Sequence, residues 1–350
     1  MSPNPPTARR SRRKSSVYAA TMADVAQHAG VSAQTVSRAL RNPKEVSEET
    51  YARIEEAIKA TNYVQNLAAS HLASNKSKTV AAIIPLLSAS IFSETIQGLN
   101  EILLQEGYQL FIGHTDYRQD REEALVRTFS ARRPDGFFII GTHHNRLTTS
   151  LLKKSAVPVV ESWDWTERPI DMLVGFSNSS AIASMVEHLV EKGYRNLVFS
   201  GVIKPGDYRA KERLAGFEEA MNRLLPDRPI RTVIISDKPI SMDTGSALLR
   251  MVRERYPEAD GIVFSSDLFA SGALLECQKI GISIPSELAI TGFGDYEIAR
   301  QLNPGLTTIS VPTYQIGEAA AELLLAAMNS RRIPKRSIDV GFKLIARGSA

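Results

Sequence analysis

Residues 21–43 read TMADVAQHAGVSAQTVSRALRNP, and this stretch decides how the N-terminal region folds. Thr21 can cap a helix from Met22 to about Ala29, on which Val25, Ala26 and Ala29 share one face. Gly30 ends that helix and permits a tight turn, and Ser32 caps a second helix running through Leu40. The small side chains of Ala26 and Ala29 let the two helices cross closely, with Val31 and Val36 filling the space between them. Ala33, Gln34, Ser37 and Arg38 then remain on the outer face of the second helix. Such a helix fits a DNA major groove. There glutamine pairs with adenine and arginine with guanine through two hydrogen bonds, each pairing worth ~1–3 kcal/mol of discrimination. Thr21, Ser32 and Thr35 are candidate phosphate contacts, which position a protein on DNA without reading its sequence. A third helix is expected from near Ser47, where SEET is a weak capping pattern, to about Thr61, with Ile54, Ala57 and Ile58 at helical spacing. A generic amphipathic hairpin has the same periodicity. The glycine turn, the exposed Gln/Arg pair and the basic flank favour a helix-turn-helix.

The charge distribution agrees. The 350-residue chain carries a net +4, but residues 1–78 hold 12 Lys+Arg against 6 Asp+Glu, and residues 79–350 hold 30 against 32. Arg9, Arg10, Arg12, Arg13 and Lys14 form an N-terminal arm without an acid. A basic arm on a near-neutral body points to a polyanion at that end, or to a solubilising tail. Residues 1–20, rich in Pro, Ser and Arg, are expected to be disordered.

After Ser74 short apolar runs alternate with helix-length segments: VAAII (80–84), YQLFI (108–112), GFFII (136–140), VPVVE (157–161), NLVFS (196–200), TVIIS (232–236), GIVFS (261–265) and LAITGF (288–293). Amphipathic stretches such as 92–106 and 180–192 lie between them. This is the pattern of parallel α/β structure, and about 270 residues of it suggest two lobes dividing near Asn178.

These residues carry a family resemblance. DVA..AGVS..TVSR.L from Asp24 to Leu40, VS at 46–47 and NY at 62–63 resemble the headpiece of the lactose-repressor/galactose-repressor family of bacterial transcription factors. LTTI at 306–309 with Pro312, Gly317 and the AAAELLL run resemble its C-terminal signature, and SSDLFASGAL (265–274) and GFGDYEIA (292–299) its effector lobe. FIGHTDY (111–117), PVVESWD (158–164) and VGFSN (174–178) are most similar to the gluconate-operon repressors. The resemblance implies a helix-turn-helix headpiece at 21–65, a hinge and linker at 66–78, and a two-lobed effector and dimerisation domain at 79–350, like periplasmic sugar-binding proteins, with late crossovers between lobes. It implies that Ala33, Gln34 and Arg38 read bases, Ala33 only through a thymine methyl. In the hinge it implies that Asn66 matches the family asparagine and that Leu72 is the wedge entering the minor groove. Gln65 stands where the family usually has proline.

Within such a domain the effector cleft lies at strand ends and the loops after them. Candidate walls are Ile91, Phe92, His114, Tyr117, Glu161, Trp163 and Asp164 from the first lobe, and Arg209, Lys211, Arg213, Asp267, Phe269 and Asp295 from the second. Trp163 could equally serve core packing, and the three cations could be surface charges at a helix start. Arg213 precedes LAGF, and by resemblance the family arginine at that position holds the effector. Many relatives have aspartate where this chain has Gly294. An acid lost among retained cations suits an anionic ligand, a sugar acid such as gluconate or a ketogluconate. A neutral sugar or a nucleobase is the alternative.

Other classes find little support. No run of ~18–20 apolar residues could form a membrane helix. Cys277 is the single cysteine, so neither an internal disulfide nor a multi-thiolate zinc site can form. Arg12-Arg13 lacks the apolar segment of an export signal, which leaves a cytoplasmic protein as the expectation. No Walker A, G-x-G-x-x-G or G-x-S-x-G motif occurs, so an α/β sugar enzyme is a distant alternative. His143-His144 is read as a solvated loop pair with no metal, and Glu122-Glu123 as exposed helix positions. The lactose repressor's extra C-terminal tetramerisation helix has no counterpart before Ala350. The expectation is therefore a homodimer that binds a near-palindromic double-stranded operator, uses no cofactor, and is released by its effector.

Overall fold

The computed structural model describes residues 20–64, 76–87 and 90–350. The basic arm, Asn66 and Leu72 lie outside the described residues. The chain divides into two compact units, 1–75 and 76–350.

In the first unit three helices, α1 (Met22–Ala29), α2 (Ala33–Arg41) and α3 (Glu48–Thr61), surround a core of Val25, Ala26, Ala29, Val36, Ala39, Ile54 and Ala57. Thr21 and Asp24 form a reciprocal cap on α1. The Thr21 hydroxyl accepts from the Asp24 N–H, and the Asp24 carboxylate accepts from the Thr21 N–H. Gly30 closes α1 at φ +64°, in the left-handed region where glycine carries no Cβ penalty. Ser32 and Ser47 cap α2 and α3.

The second unit contains two six-stranded sheets. The first has the order β11-β5-β4-β3-β1-β2, all parallel, from β1 (Thr79–Ile84), β2 (Gln109–His114), β3 (Gly136–Ile140), β4 (Val159–Ser162), β5 (Met172–Gly175) and β11 (Ser337–Asp339). The second has the order β12-β10-β9-β8-β6-β7, from β6 (Leu197–Val202), β7 (Arg231–Ile235), β8 (Gly261–Phe264), β9 (Ala289–Phe293), β10 (Thr307–Ser310) and β12 (Lys343–Ile345). Only β12 runs antiparallel to its neighbour. Both faces of each sheet are covered by helices, so β1, β3 and β8 are buried along their whole length and read as unbroken apolar runs.

The helices are α4 (Ser93–Gln105), α5 (Gln119–Ser130), α6 (Arg146–Lys154), α7 (Asn178–Glu191), α8 (Tyr208–Leu224), α9 (Met242–Arg255), α10 (Asp267–Ile280), α11 (Glu297–Gln301) and α12 (Thr313–Met328). The chain passes to the second lobe after β5, with α7 packing on β10 and β12. It returns in α12, which packs on α4, β3, β4 and β5, contributes β11 to the first sheet, and crosses again to β12. One apolar cluster runs through both lobes, from Val80 and Phe176 to Phe293 and Ile309.

Each of the eight expected strands is present within a few residues. Four further strands, β5, β10, β11 and β12, each three or four residues long, are not among those expected. The strand expected from Val157 begins only at Val159, because Pro158 has no N–H to give to the ladder and only its carbonyl pairs, with the Phe137 N–H. The linker expected to extend to Lys78 also ends sooner. The Asp135 carboxylate accepts from the N–H groups of Ser77 and Lys78, which fixes both to the second unit.

Candidate nucleic-acid interface and effector cavity

On α2 the residues that could meet DNA face outward. Ala33, Gln34, Ser37 and Arg38 are exposed, while Val36 and Ala39 on the opposite face are buried. The Arg38 guanidinium stands 4.0 Å from Glu45, and both groups are about half exposed. A pair so open to solvent holds the side chain weakly and yields to a stronger acceptor. Thr21, Ser32 and Thr35 act first as structural residues. The Ser32 hydroxyl accepts from the Thr35 N–H at 3.1 Å, and the two hydroxyls lie 2.8 Å apart. One hydroxyl proton serves that contact and the other stays free for a phosphate. Hydrogen bonds from the Thr21 N–H and hydroxyl hold the Asp24 carboxyl below its usual range and draw it onto the helix start.

In the second unit a cavity of about 520 Å³ opens between the sheets at the carboxyl ends of their strands. Seven of the expected walls line it: Ile91, Phe92, Tyr117, Trp163, Arg209, Arg213 and Phe269. Trp163 owes its place to a left-handed backbone, φ +68°, which breaks the strand alternation just after β4. Its indole N–H donates to the Thr95 hydroxyl, and its ring meets Phe92 edge-on.

Arg209 and Arg213 lie four residues apart on one face of α8, so both guanidinium groups reach the cavity. Arg209 is 6 % exposed and lies over the rings of Phe92 and Tyr117. Arg213 lies 4.5 Å over Phe293 and donates to Asn178 at 2.7 Å, while its buried Nε has no partner. Burial lowers the pKa of Arg213, and the charge of Asp207 opposes that effect. Asp207, which caps α8, is the only carboxylate among the lining residues. Burial raises the Tyr117 phenol, and it pushes Tyr296 up to about 12.

Four of the expected walls, and Lys211, stand elsewhere. Glu161 points away from the cleft, because alternation along β4 puts it on the side of Val159 and the outer core. There it accepts from His144 and from the Ile170 N–H. His114 ends the edge strand β2 and is exposed. Asp267 is fully buried behind the wall, accepting from the Thr308 hydroxyl at 2.6 Å and the Tyr296 N–H at 2.9 Å. Burial raises its pKa to about 7, although both hydrogen bonds favour the anion. Asp295 turns to Arg347, 2.7 Å away. Lys211 is exposed and donates to the Pro205 carbonyl.

Asp164 lines a second cavity of about 430 Å³, which shares Tyr117 and Arg209 with the first. The histidine pair also departs from expectation. His144 is buried, its ring 2.8 Å from Glu122 and 3.2 Å from Glu161, so Glu122 is likewise not an exposed helix position. His143 stacks on Tyr208 across the cleft, 4.5 Å between ring centres, and Lys204 pairs with Asp116 at 3.1 Å in the same region. Among the described residues no group of acidic, histidine or cysteine side chains could hold a metal ion.

Sequence reasoning did not select Asp207, Ser265, Ser266, Phe293 or Tyr296, all of which line the first cavity. Phe293 and the two serines follow the same strand-end rule that found the others, and Asp207 carries a helix-cap signal before Tyr208.

Residues 21–66 match the family model of bacterial regulatory proteins, lacI family, and residues 186–350 match a periplasmic binding protein-like domain. The chain is 33% identical to the HTH-type transcriptional regulator GntR of Pseudomonas aeruginosa over 94% of its length and 95% of that protein's. It is 31% identical to the HTH-type transcriptional regulator IdnR of Escherichia coli over 93% of its length and 96% of that protein's. The chain belongs to the lacI family. A lacI-family regulator of Silicibacter pomeroyi, solved by crystallography, matches with a TM-score of 0.88 and 33% identity over 94% of this chain and 99% of that one. The protein is thus a DNA-binding transcriptional regulator and not an enzyme. Its partners are operator DNA, through the helix-turn-helix, and a small molecule, through the two-lobed domain. No helix among the described residues is long and apolar enough to cross a membrane.

Proposed function

We propose that this regulator is a cytoplasmic, homodimeric repressor of sugar-acid catabolism genes, released from its operator when gluconate or a ketogluconate enters the cavity between the lobes. The observation that carries the ligand class is the pair Arg209 and Arg213, which face the cavity together with a single lining carboxylate, Asp207. Two guanidinium groups can clamp a carboxylate through parallel, charge-assisted hydrogen bonds, and the orphaned Arg213 Nε is one donor such a ligand would satisfy. Phe92, Trp163, Phe269 and Phe293 offer ring faces to the carbon chain, and Ser265, Ser266 and Tyr296 offer partners for its hydroxyls. A neutral sugar or nucleobase would leave the two cations desolvated and uncompensated, which is costly.

Gln34 and Arg38 are proposed to read bases. The homodimer reading is supported by apolar side chains left exposed at the sheet edge, namely Phe111 and Ile112 on β2 and Leu104 on α4. A dimer would present two α2 helices to a near-palindromic site. Calorimetric titration with gluconate, 2-ketogluconate and glucose tests the ligand, followed by operator release with whichever binds. Binding of an acid but not of glucose is expected. Binding of glucose alone, or of none, would overturn the sugar-acid reading.

A further inference from the structure

The first lobe carries a second concentration of positive charge, far in sequence from the N-terminal arm. In a parallel α/β sheet the helices run back against the strands, so helix C-termini collect at the end where strands begin. At that end of the first lobe, Arg132 and Arg133 follow α5, Lys153 and Lys154 end α6, and Arg331 and Arg332 follow α12. All six are exposed. The three segments meet beside Gly136 at the start of β3, where Leu324 and Met328 of α12 and the Pro158 carbonyl before β4 close the space. Two acids of the same end are engaged, and Glu106 after α4 is exposed. Asp135 holds the Ser77 and Lys78 N–H groups, and Asp171 pairs with Arg336.

Cations after helix C-termini ordinarily serve the helix, by bonding its last carbonyls or offsetting its dipole. In the second lobe, which has the same topology, several cations at this end are engaged. Arg195 donates to the Val190 and Tyr194 carbonyls, Arg253 donates to the Pro257 carbonyl, and Arg231 pairs with Glu258 at 2.8 Å. Among the described residues none of the six cations in the first lobe makes a side-chain hydrogen bond or ion pair, on a body whose residues 79–350 hold more acids than bases. The excess is therefore local, unpaired and not explained by capping.

We propose that this strand-start end of the first lobe is a second DNA-contacting surface, which binds phosphates of the duplex flanking the operator without reading bases. The chain enters the second unit at this same end, at Lys76. The protein binds operator DNA, and the evenly spaced phosphate backbone of a duplex is a polyanion matched to such a surface.

The test uses the full chain and an operator obtained by in vitro selection, prepared as a duplex of ~20 bp, enough for two half-sites one turn apart, and as one of ~40 bp with random flanks. Affinity is read by fluorescence anisotropy across a salt series. The wild type is expected to bind the longer duplex about fivefold or more tightly at low salt, with a steeper slope of log K on log salt. The variant Arg132→Gln, Arg133→Gln, Arg331→Gln, Arg332→Gln should bind both lengths alike, and its slope on the longer duplex should fall by ~0.9 for each phosphate it no longer neutralises. Its affinity for the shorter duplex and its thermal melt should match the wild type. The corresponding four-lysine variant should keep the length preference. A wild type indifferent to duplex length, or a glutamine variant that keeps the preference, would overturn the proposal.

Discussion

Arg209 and Arg213 stand one helical turn apart on α8, both lining one cavity, and no carboxylate of the described residues forms an ion pair with either. Like charges at this spacing repel along a helix, so the fold holds the two groups together at a cost. Asp207, just before the helix, accepts from the Ala210 N–H and so serves the helix start. An anion that joined both guanidinium groups would relieve the repulsion, which ties ligand affinity to the state of the cleft.

Replacing Arg213 with alanine should therefore remove the effector response while leaving operator affinity intact. A charge-assisted hydrogen bond contributes roughly 1.5–3 kcal/mol, so affinity for the sugar acid should fall by about ten- to a hundredfold in calorimetry. Arg213→Lys should recover little, because a lysine ammonium cannot donate two parallel bonds from one plane. Normal release of the operator by the alanine variant would remove Arg213 from the ligand's reach.

On the DNA side, Arg38→Ala and Gln34→Ala should each lose ~1–3 kcal/mol of discrimination against single base changes in the operator. Ser37→Ala, on the same exposed face but without a long donor, should cost less. Competition binding against a panel of operator variants reads these losses position by position. Wild-type affinity and wild-type discrimination across the panel in Arg38→Ala would show that α2 is not the reading helix.

How much of this was legible in the sequence depends on where the signal sits. The headpiece was readable nearly residue by residue, because caps, glycine and helical spacing are local. The cavity walls were legible where a side chain simply follows a strand, as with Tyr117 and Phe269. They failed where strand alternation or a partner far along the chain decides direction. Glu161 has a place on β4 whose alternation turns it outward, and Asp295 is drawn off by Arg347, 52 residues later. Adjacent histidines look alike in sequence, yet one stacks on Tyr208 and the other is enclosed by two glutamates, because the loop after β3 turns between α5 and β4. Short strands such as β11 carry no apolar run, and only pairing with β5 defines them.

Caps in the headpiece make a stability prediction. Gly30→Ala would put a Cβ on a residue at φ +64°, at a cost of roughly 1–2 kcal/mol. Ser32→Ala removes the N-cap of α2 at about 1 kcal/mol. Both should weaken operator binding through loss of folded headpiece, so cooling should restore binding to the variants more than to the wild type. Hydrogen exchange of residues 21–61 measures the loss directly. Unchanged protection in Gly30→Ala would mean that the turn tolerates the left-handed alanine.

The enclosed histidine predicts a pH dependence of stability. Burial alone would lower the pKa of His144, but hydrogen bonds and charge from Glu122 and Glu161 overrule it and raise the group to about 9. A basic group raised in the folded state stabilises that state most when protonated. The contribution is thus complete below the unfolded value near 6.5 and is lost as pH climbs through about 9. At ~1.4 kcal/mol per pH unit the full loss is roughly 3 kcal/mol, spread over that window. Asp267, raised by burial to about 7, also disfavours the folded state as pH rises, but that effect is complete near neutrality. The comparison that isolates the histidine is wild type against His144→Gln between pH 7.5 and 9.5, followed by urea unfolding of the second unit's transition. The wild type should lose stability steeply across this range, and the glutamine variant should start lower and stay nearly level. Parallel curves for the two proteins would show that His144 is neutral between its glutamates.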